Sequence, residues 1–372
     1  MRLVLALVIA VSLMSGCGHR GQVVIDPAAR GVGDIQTVFV STNRGPDAET
    51  GAEFGIARRF EERYARFDVS IPPNQKTGKI TWPRRGRAPD PARDFLTADK
   101  VDFGGAEEFR KDLSRALRAA PAGRREVFVF VHGYNTNFAE GVYRLAQLGR
   151  DLGSGGVLVS YSWPSRANVL GYVYDRDSAA FSRDGLERLL QEVAAANPER
   201  IFIVGHSMGA LLTMETLRQM AISGETRVRS RLSGVALMSP DIDVDVFQSQ
   251  ARRIGKLPQP FVIFTNSRDR ALALSARLTG QGNRLGNVSD LNEIGNLEVT
   301  LIDTSAFSVG SGHFNIGNSP ALIALLGRLG EVDAILSGDE RRPSGLLPGV
   351  ILTIRNATEI ILYPVAQVVG RT

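Results

Sequence analysis

From Glu126 onward the chain has a rhythm that few folds can satisfy. Short apolar runs recur at "EVFVFVHG", "GVLVSYSWP", "RIFIVGHS", "SGVALMSP", "PFVIFTNS" and "LEVTLIDT". Each is continuous rather than alternating, as expected of strands buried on both faces. Helical candidates lie between them. "FAEGVYRLAQLGRDLG" ends on Gly153, a C-cap signal. "DSAAFSRDGLERLLQEVAAANP", "SMGALLTMETLRQMAIS" and "SPALIALLGRLGEVDAIL" follow later runs. This alternation predicts an α/β domain, with a mostly parallel, doubly wound sheet and helices on both faces. In such sheets function gathers at the carboxyl ends of the strands. The 372 residues suffice for one large domain or two small ones.

The segments outside this rhythm read differently. "MRLVLALVIAVSLMSGC" has a positive start, a short apolar run and small residues before Cys17, the pattern of a secretory signal over residues 1–16. Cys17 is the only cysteine, so it forms no intramolecular disulfide. It stands where bacterial lipidation needs it, although Met14 occupies the position usually held by Leu. The expectation is a lipid anchor at Cys17, a tether over 17–33 and placement in the cell envelope facing the periplasm. An ordinary signal peptide and a soluble exported protein are the alternative. Residues 34–125 read as an N-terminal elaboration of the sheet, with strands in "IQTVFVST", "FDVSIP" and "GKITWP". They are too poor in apolar residues for a core of their own. The main domain covers 126–337. Residues 338–372 form an apolar tail, read as a helix packed on the domain or lying on a membrane surface.

The chemistry centres on Gly205-His206-Ser207-Met208-Gly209, a G-x-S-x-G elbow between a buried-type strand and a helix. The pentapeptide alone is nonspecific; this context gives it meaning. The glycines leave room for neighbouring strand and helix, and the helix N-terminus offers free N–H groups to an oxyanion. Ser207 needs a base, and the chain has four histidines. His19 lies in the tether. His132, in "FVHGYN", reads as a structural residue holding its loop. His206 neighbours Ser207 on a sharp turn, where side chains point apart. His313, in "SVGSGHFNIG", lies on a glycine-rich loop after a strand, where the order nucleophile, acid, histidine requires it. The acid should follow a strand between the two. Asp269 comes first, Asp241 or Asp243 is the alternative, and Asp303 ranks third; Asp269 could also serve only as a helix cap. Two backbone donors should face the developing charge: the N–H of Met208 and that of Tyr134. Tyr172 and Tyr174 either line the pocket or pack on the core. "GQGNRLG" (280–286) follows a helix rather than a buried strand and reads as a flexible loop.

Taken together, "FVFVHGYNTNF", "VSYSWPS", "IVGHSMG", "SPDIDVDVF" and "NSRDRALALS" resemble the α/β-hydrolase superfamily, and more narrowly its bacterial DUF900 family. The resemblance covers about residues 35–335. It implies the α/β-hydrolase fold, an eight-stranded type of sheet and a Ser-Asp/Glu-His triad carried onto Ser207, Asp269 and His313. It implies no substrate.

The charge of +5 comes mostly from arginines scattered along the chain. No basic block is interleaved with aromatics, so nucleic acid is not an expected partner. No Cys/His cluster has ligand spacing, so neither a metal nor another cofactor is expected. The expected function is a serine hydrolase of carboxylesterase or lipase type, acting on a small-molecule or lipid acyl substrate. The alternatives are an envelope scaffold lipoprotein on the same fold, or an acyltransferase or amidase.

Overall fold

A computed structural model describes residues 20–47, 51–153, 155–280, 283–290, 293–294, 297–307, 313, 315–327, 350–354 and 362–364. The elements run β1 (Asp34–Arg44), β2 (Arg58–Ile71), β3 (Leu96–Phe103), α1 (Ala106–Ala119), β4 (Glu126–Val131), α2 (Phe138–Leu152), β5 (Val157–Ser162), α3 (Tyr172–Phe181), α4 (Arg183–Ala195), β6 (Arg200–His206) and α5 (Met208–Ser223). They continue with β7 (Leu232–Met238), α6 (Val244–Ile254), β8 (Phe261–Thr265), α7 (Arg270–Thr279), β9 (Thr300–Asp303), α8 (Asn315–Asn318), α9 (Pro320–Gly327), β10 (Val350–Ile354) and β11 (Leu362–Pro364).

All eleven strands join one sheet, in the order β11-β10-β9-β8-β7-β6-β4-β5-β1-β2-β3. The stretch from β10 to β1 is parallel throughout. An antiparallel β11 closes one side and the antiparallel pair β2–β3 the other. Every apolar run of the main domain is therefore a parallel strand. Burial follows the pleat: Val127, Val129 and Val131 of β4 pack with α1, α4, α5 and α6, while Phe128 and Phe130 pack with α2 and α9. Side chains on both faces are inaccessible, which is why these strands read as continuous apolar runs.

The N-terminal region is an extension of this sheet, since Val38–Thr42 of β1 pair with Leu158–Ser162 of β5. Three expectations change here. "GKITWP" forms no strand; Trp82 instead lies in a loop and stacks on Tyr143 of α2, centroids 5.0 Å apart. Residues 20–33, expected to belong to a tether, are held on the domain from Arg20 onward. Arg20 pairs with Glu140 at 2.6 Å, Gly21 O accepts from Asn137 Nδ2 at 2.8 Å, and Val24 O accepts from Thr97 N at 2.9 Å. Asn137 and Glu140 form the capping box of α2, so the start of that helix holds the incoming chain. The described residues of the tail form β10 and β11 and not the expected helix; Val350, Ile351, Thr353 and Ile354 are β-branched and favour a strand. The signal segment, His19 and Cys17 lie outside the described residues. No helix among the described residues is long and apolar enough to cross a membrane.

Candidate active site

Ser207 ends β6 and opens α5 with φ 53° and ψ −119°. A positive φ costs a side-chain-bearing residue about 1–3 kcal/mol. The surroundings fix it there. Ser207 N donates to Met238 O at 2.9 Å, and Ser207 O accepts from Asp241 N at 3.2 Å. The flanking glycines are steric necessities. A Cβ on Gly205 would lie 2.9 Å from Ala210 Cα and 2.8 Å from Thr213 Oγ1; one on Gly209 would lie 2.3 Å from His132 O and 2.4 Å from Val131 O. Any side chain at either position would push α5 off the sheet.

Three of the expected side chains meet at this turn. Ser207 Oγ lies 2.8 Å from His313 Nε2, and His313 Nδ1 lies 2.8 Å from Asp269 Oδ2. Ser207 and Asp269 are buried and His313 is partly open to solvent. Asp269 performs both tasks that the sequence left as alternatives. Its Oδ1 accepts from Ala271 N at 3.0 Å and Leu272 N at 3.1 Å, capping α7, while Oδ2 faces the imidazole.

The other carboxylates are occupied elsewhere. Asp241 Oδ2 accepts from Tyr172 Oη at 2.9 Å, and Oδ1 accepts from Ser275 Oγ at 2.6 Å. Arg284 Nε stands 3.3 Å from the same Oδ1, as an ion pair out of hydrogen-bond alignment. Asp243 caps α6 and Asp303 accepts from Ser305. Because Arg284 is buried in that pair, the second half of 280–286 is packed rather than the flexible loop expected.

The other two described histidines are buried. His132 stacks on Trp163 and has ring nitrogens 2.9 Å from Gly133 O and 3.1 Å from Trp163 O. Burial, with help from the Arg44 charge, pushes its pKa down to about 3, so it holds its loop as a neutral ring. His206, expected to point away from Ser207, lies instead beside His313. Its ring lies 4.9 Å from that of His313, and its Nε2 is 3.3 Å from His313 O. Burial and the neighbouring His313 hold it well below the usual histidine range, so it is no base.

For the two backbone donors, Met208 is the first residue of α5, where an N–H has no intrahelical acceptor. Gly133 is wedged against Ser207: a Cβ there would lie 3.0 Å from Ser207 Cβ and 2.5 Å from His206 Nδ1. The backbone entering Tyr134 thus passes directly over Ser207. Tyr134 packs edge-on against Tyr172, and its hydroxyl donates to Val169 O. Tyr174 packs away from Ser207, donating to Ile56 O at 2.7 Å beneath the Arg58 guanidinium.

Sequence reasoning missed the residue that braces this loop. Arg44, at the end of β1, is fully buried. It donates to Ser162 Oγ, Gly55 O and Thr136 O at 2.9 Å and to Ser165 O at 3.1 Å. One guanidinium thereby ties the "HGYN" loop to the "SWPS" loop. Burial pulls its pKa down to about 9, which still leaves a cation at neutral pH. Asp175 supports the same junction by accepting from Ser165 Oγ and Arg166 N at 2.6 Å and from Asn135 N at 3.2 Å.

The family model described as "Alpha/beta hydrolase of unknown function (DUF900)" matches residues 105–327, more than half of the chain. An uncharacterized protein of Nostoc sp. is 35% identical over 63 residues, covering 17% of this chain and 16% of that protein. The chain thus spans less than a fifth of that relative. Among solved structures, a hydrolase so described by assignment from Agrobacterium vitis S4 is similar at TM-score 0.37 and 12% identity, covering 82% of this chain and 98% of that one. Aspergillus fumigatus lipase B is similar at TM-score 0.37 and 16% identity, covering 67% and 60%. At this degree of overlap the two structures bear on neither site nor substrate.

Proposed function

This chain belongs to the DUF900 family of alpha/beta hydrolases, and from that membership we propose that it is a serine hydrolase cleaving an ester or related acyl bond. The observation that carries the reading is the unbroken hydrogen-bond line from Ser207 Oγ through His313 to Asp269 Oδ2. In this reading Ser207 Oγ attacks the acyl carbon while His313 Nε2 takes the hydroxyl proton. Asp269 keeps the imidazole in the required tautomer and stabilises its cation. The N–H groups of Met208 and Tyr134 hold the oxyanion, aided by the positive end of α5. His313 then returns the proton to the departing alcohol, leaving an acyl-Ser207 ester. Water, deprotonated by the same imidazole, releases the acid and restores the serine.

Lipid acyl esters are the proposed substrate class, with the enzyme held at the cell envelope by a lipid on Cys17. A fluorophosphonate probe tests the nucleophile: wild type should be labelled and Ser207→Ala should not. Turnover of nitrophenyl esters should fall by about 10⁴- to 10⁶-fold in the same variant. Equal labelling of both proteins would remove the hydrolase reading and favour a scaffold. Fatty-acid incorporation that survives Cys17→Ser would remove the anchor.

A further inference from the structure

Among the described residues, ten large apolar side chains are exposed, and five of them lie on two short segments beside the active site. Leu170 is 91% exposed; Val169, Val173, Leu274 and Leu278 are between 56% and 73% exposed. Each segment is one contact from the proposed machinery. Val169 O accepts from Tyr134 Oη, and Tyr134 sits on the loop over Ser207. Leu274 and Leu278 ride on α7, the helix capped by Asp269. The segments meet at the 2.7 Å hydrogen bond between Tyr172 Oη and Ser275 Oγ, so their apolar side chains flank one junction.

Exposed arginines border these residues. Arg166 and Arg176 flank the first group, and Arg268, Arg270 and Arg277 lie at or on α7. None of the five forms an ion pair within the described residues, whereas most arginines of the β2–β3 edge do. Exposed leucine and valine set among cations with no carboxylate partner within the described residues match a surface that is apolar below an anionic layer. A second copy of the chain is a poor match, because a two-fold contact would press the same arginines against each other.

We infer that this rim docks onto an anionic lipid bilayer, placing the mouth of the Ser207 site against the membrane. The inference concerns attachment and holds whether or not Ser207 turns over an ester.

The test uses the full chain with Cys17→Ser, so that a single new cysteine carries an environment-sensitive dye. Leu170→Cys and Leu278→Cys report on the rim. Ile222→Cys, exposed near the end of α5 and about 20 Å along that helix from the elbow, is the control. Vesicles of phosphatidylcholine with phosphatidylglycerol should shift the dye to the blue at 170 and 278 but not at 222. Phosphatidylcholine alone should give a weaker response. Arg176→Glu with Arg277→Glu should weaken partitioning about tenfold or more. No shift at 170 and 278, or equal shifts at all three positions, would overturn the inference. So would a blue shift that grows with protein concentration in the absence of vesicles, which would assign the rim to a second copy. Fluorophosphonate labelling of the same proteins in solution, along with their circular dichroism, separates loss of docking from loss of fold or of the Ser207 reading.

Discussion

Strands β7 and β8 lie side by side, and each is followed by a buried aspartate close to Ser207. Asp241, after β7, has its backbone N–H on Ser207 O. Asp269, after β8, is one helix cap further along. Position alone would allow either to serve the histidine. What separates them is the use of the second oxygen. Asp269 satisfies α7 with Oδ1 and leaves Oδ2 for His313. Asp241 gives one oxygen to Tyr172 and the other to Ser275 and Arg284. One carboxylate holds the imidazole that faces Ser207, and the other holds Tyr172, Ser275 and Arg284. The histidines divide in the same way: His313 faces Ser207, while His132 is locked between Trp163 and two carbonyls.

The comparison can be broken most sharply at Asp269. Asp269→Asn should lower kcat by about 10⁴-fold, because the imidazole loses the partner that fixes its tautomer. Its thermal midpoint should barely move, since asparagine also caps helices well. Asp241→Asn should do the reverse. It strands the buried Arg284 guanidinium and should cost about 3 kcal/mol of stability in denaturant unfolding, with turnover per folded molecule changed only a few-fold. If Asp241→Asn abolishes turnover in folded protein while Asp269→Asn does not, the assignment of the acid is reversed.

A pH-dependent effect tests the histidines. His132 has a folded pKa near 3, below its unfolded value, so the unfolded chain binds more protons as the pH falls below about 6.5. Its contribution to stability is complete above that pH and is lost toward pH 3, at up to about 1.4 kcal/mol per pH unit. Glu62, pushed up to about 7 by burial, acts in the opposite sense between its unfolded value and 7. The readout is therefore the difference between wild type and His132→Gln in unfolding free energy. That difference should widen with pH up to about 6.5 and be flat above it. The smallest effect is expected at Tyr172→Phe, which removes one hydroxyl from Asp241 and should cost about 1 kcal/mol. Chemical unfolding at neutral pH measures it, and a large loss of turnover there would give Tyr172 a role in the site itself.

How much could be read in advance follows burial. β4 to β9 were legible because strands covered on both faces are continuous apolar runs. β3 was not, because "LTADKVDF" lies at the sheet edge and carries charges on its open side. The first half of β2, "RRFEERYA", hid for the same reason. The meeting of Ser207 with His313 was anticipated by chain order and by elimination among four histidines. Arg44 left no such trace, since an arginine closing a strand ordinarily reads as a surface residue. Its burial comes from Ser162, Ser165, Gly55 and Thr136 converging on it from three other segments. The contact of His206 with His313 was equally invisible, because it depends on where a loop a hundred residues later returns.

That late return has a consequence in time. Ser207, packed by Gly205 and Gly209, belongs to the junction of β6 and α5, whereas His313 comes 106 residues after the serine it faces. A chain interrupted between the end of β8 at Thr265 and residue 313 could shape the elbow and still have no imidazole beside Ser207. Any reactivity that depends on that pair would then switch on only in molecules extended past residue 313, so shorter products would be inert toward acyl bonds.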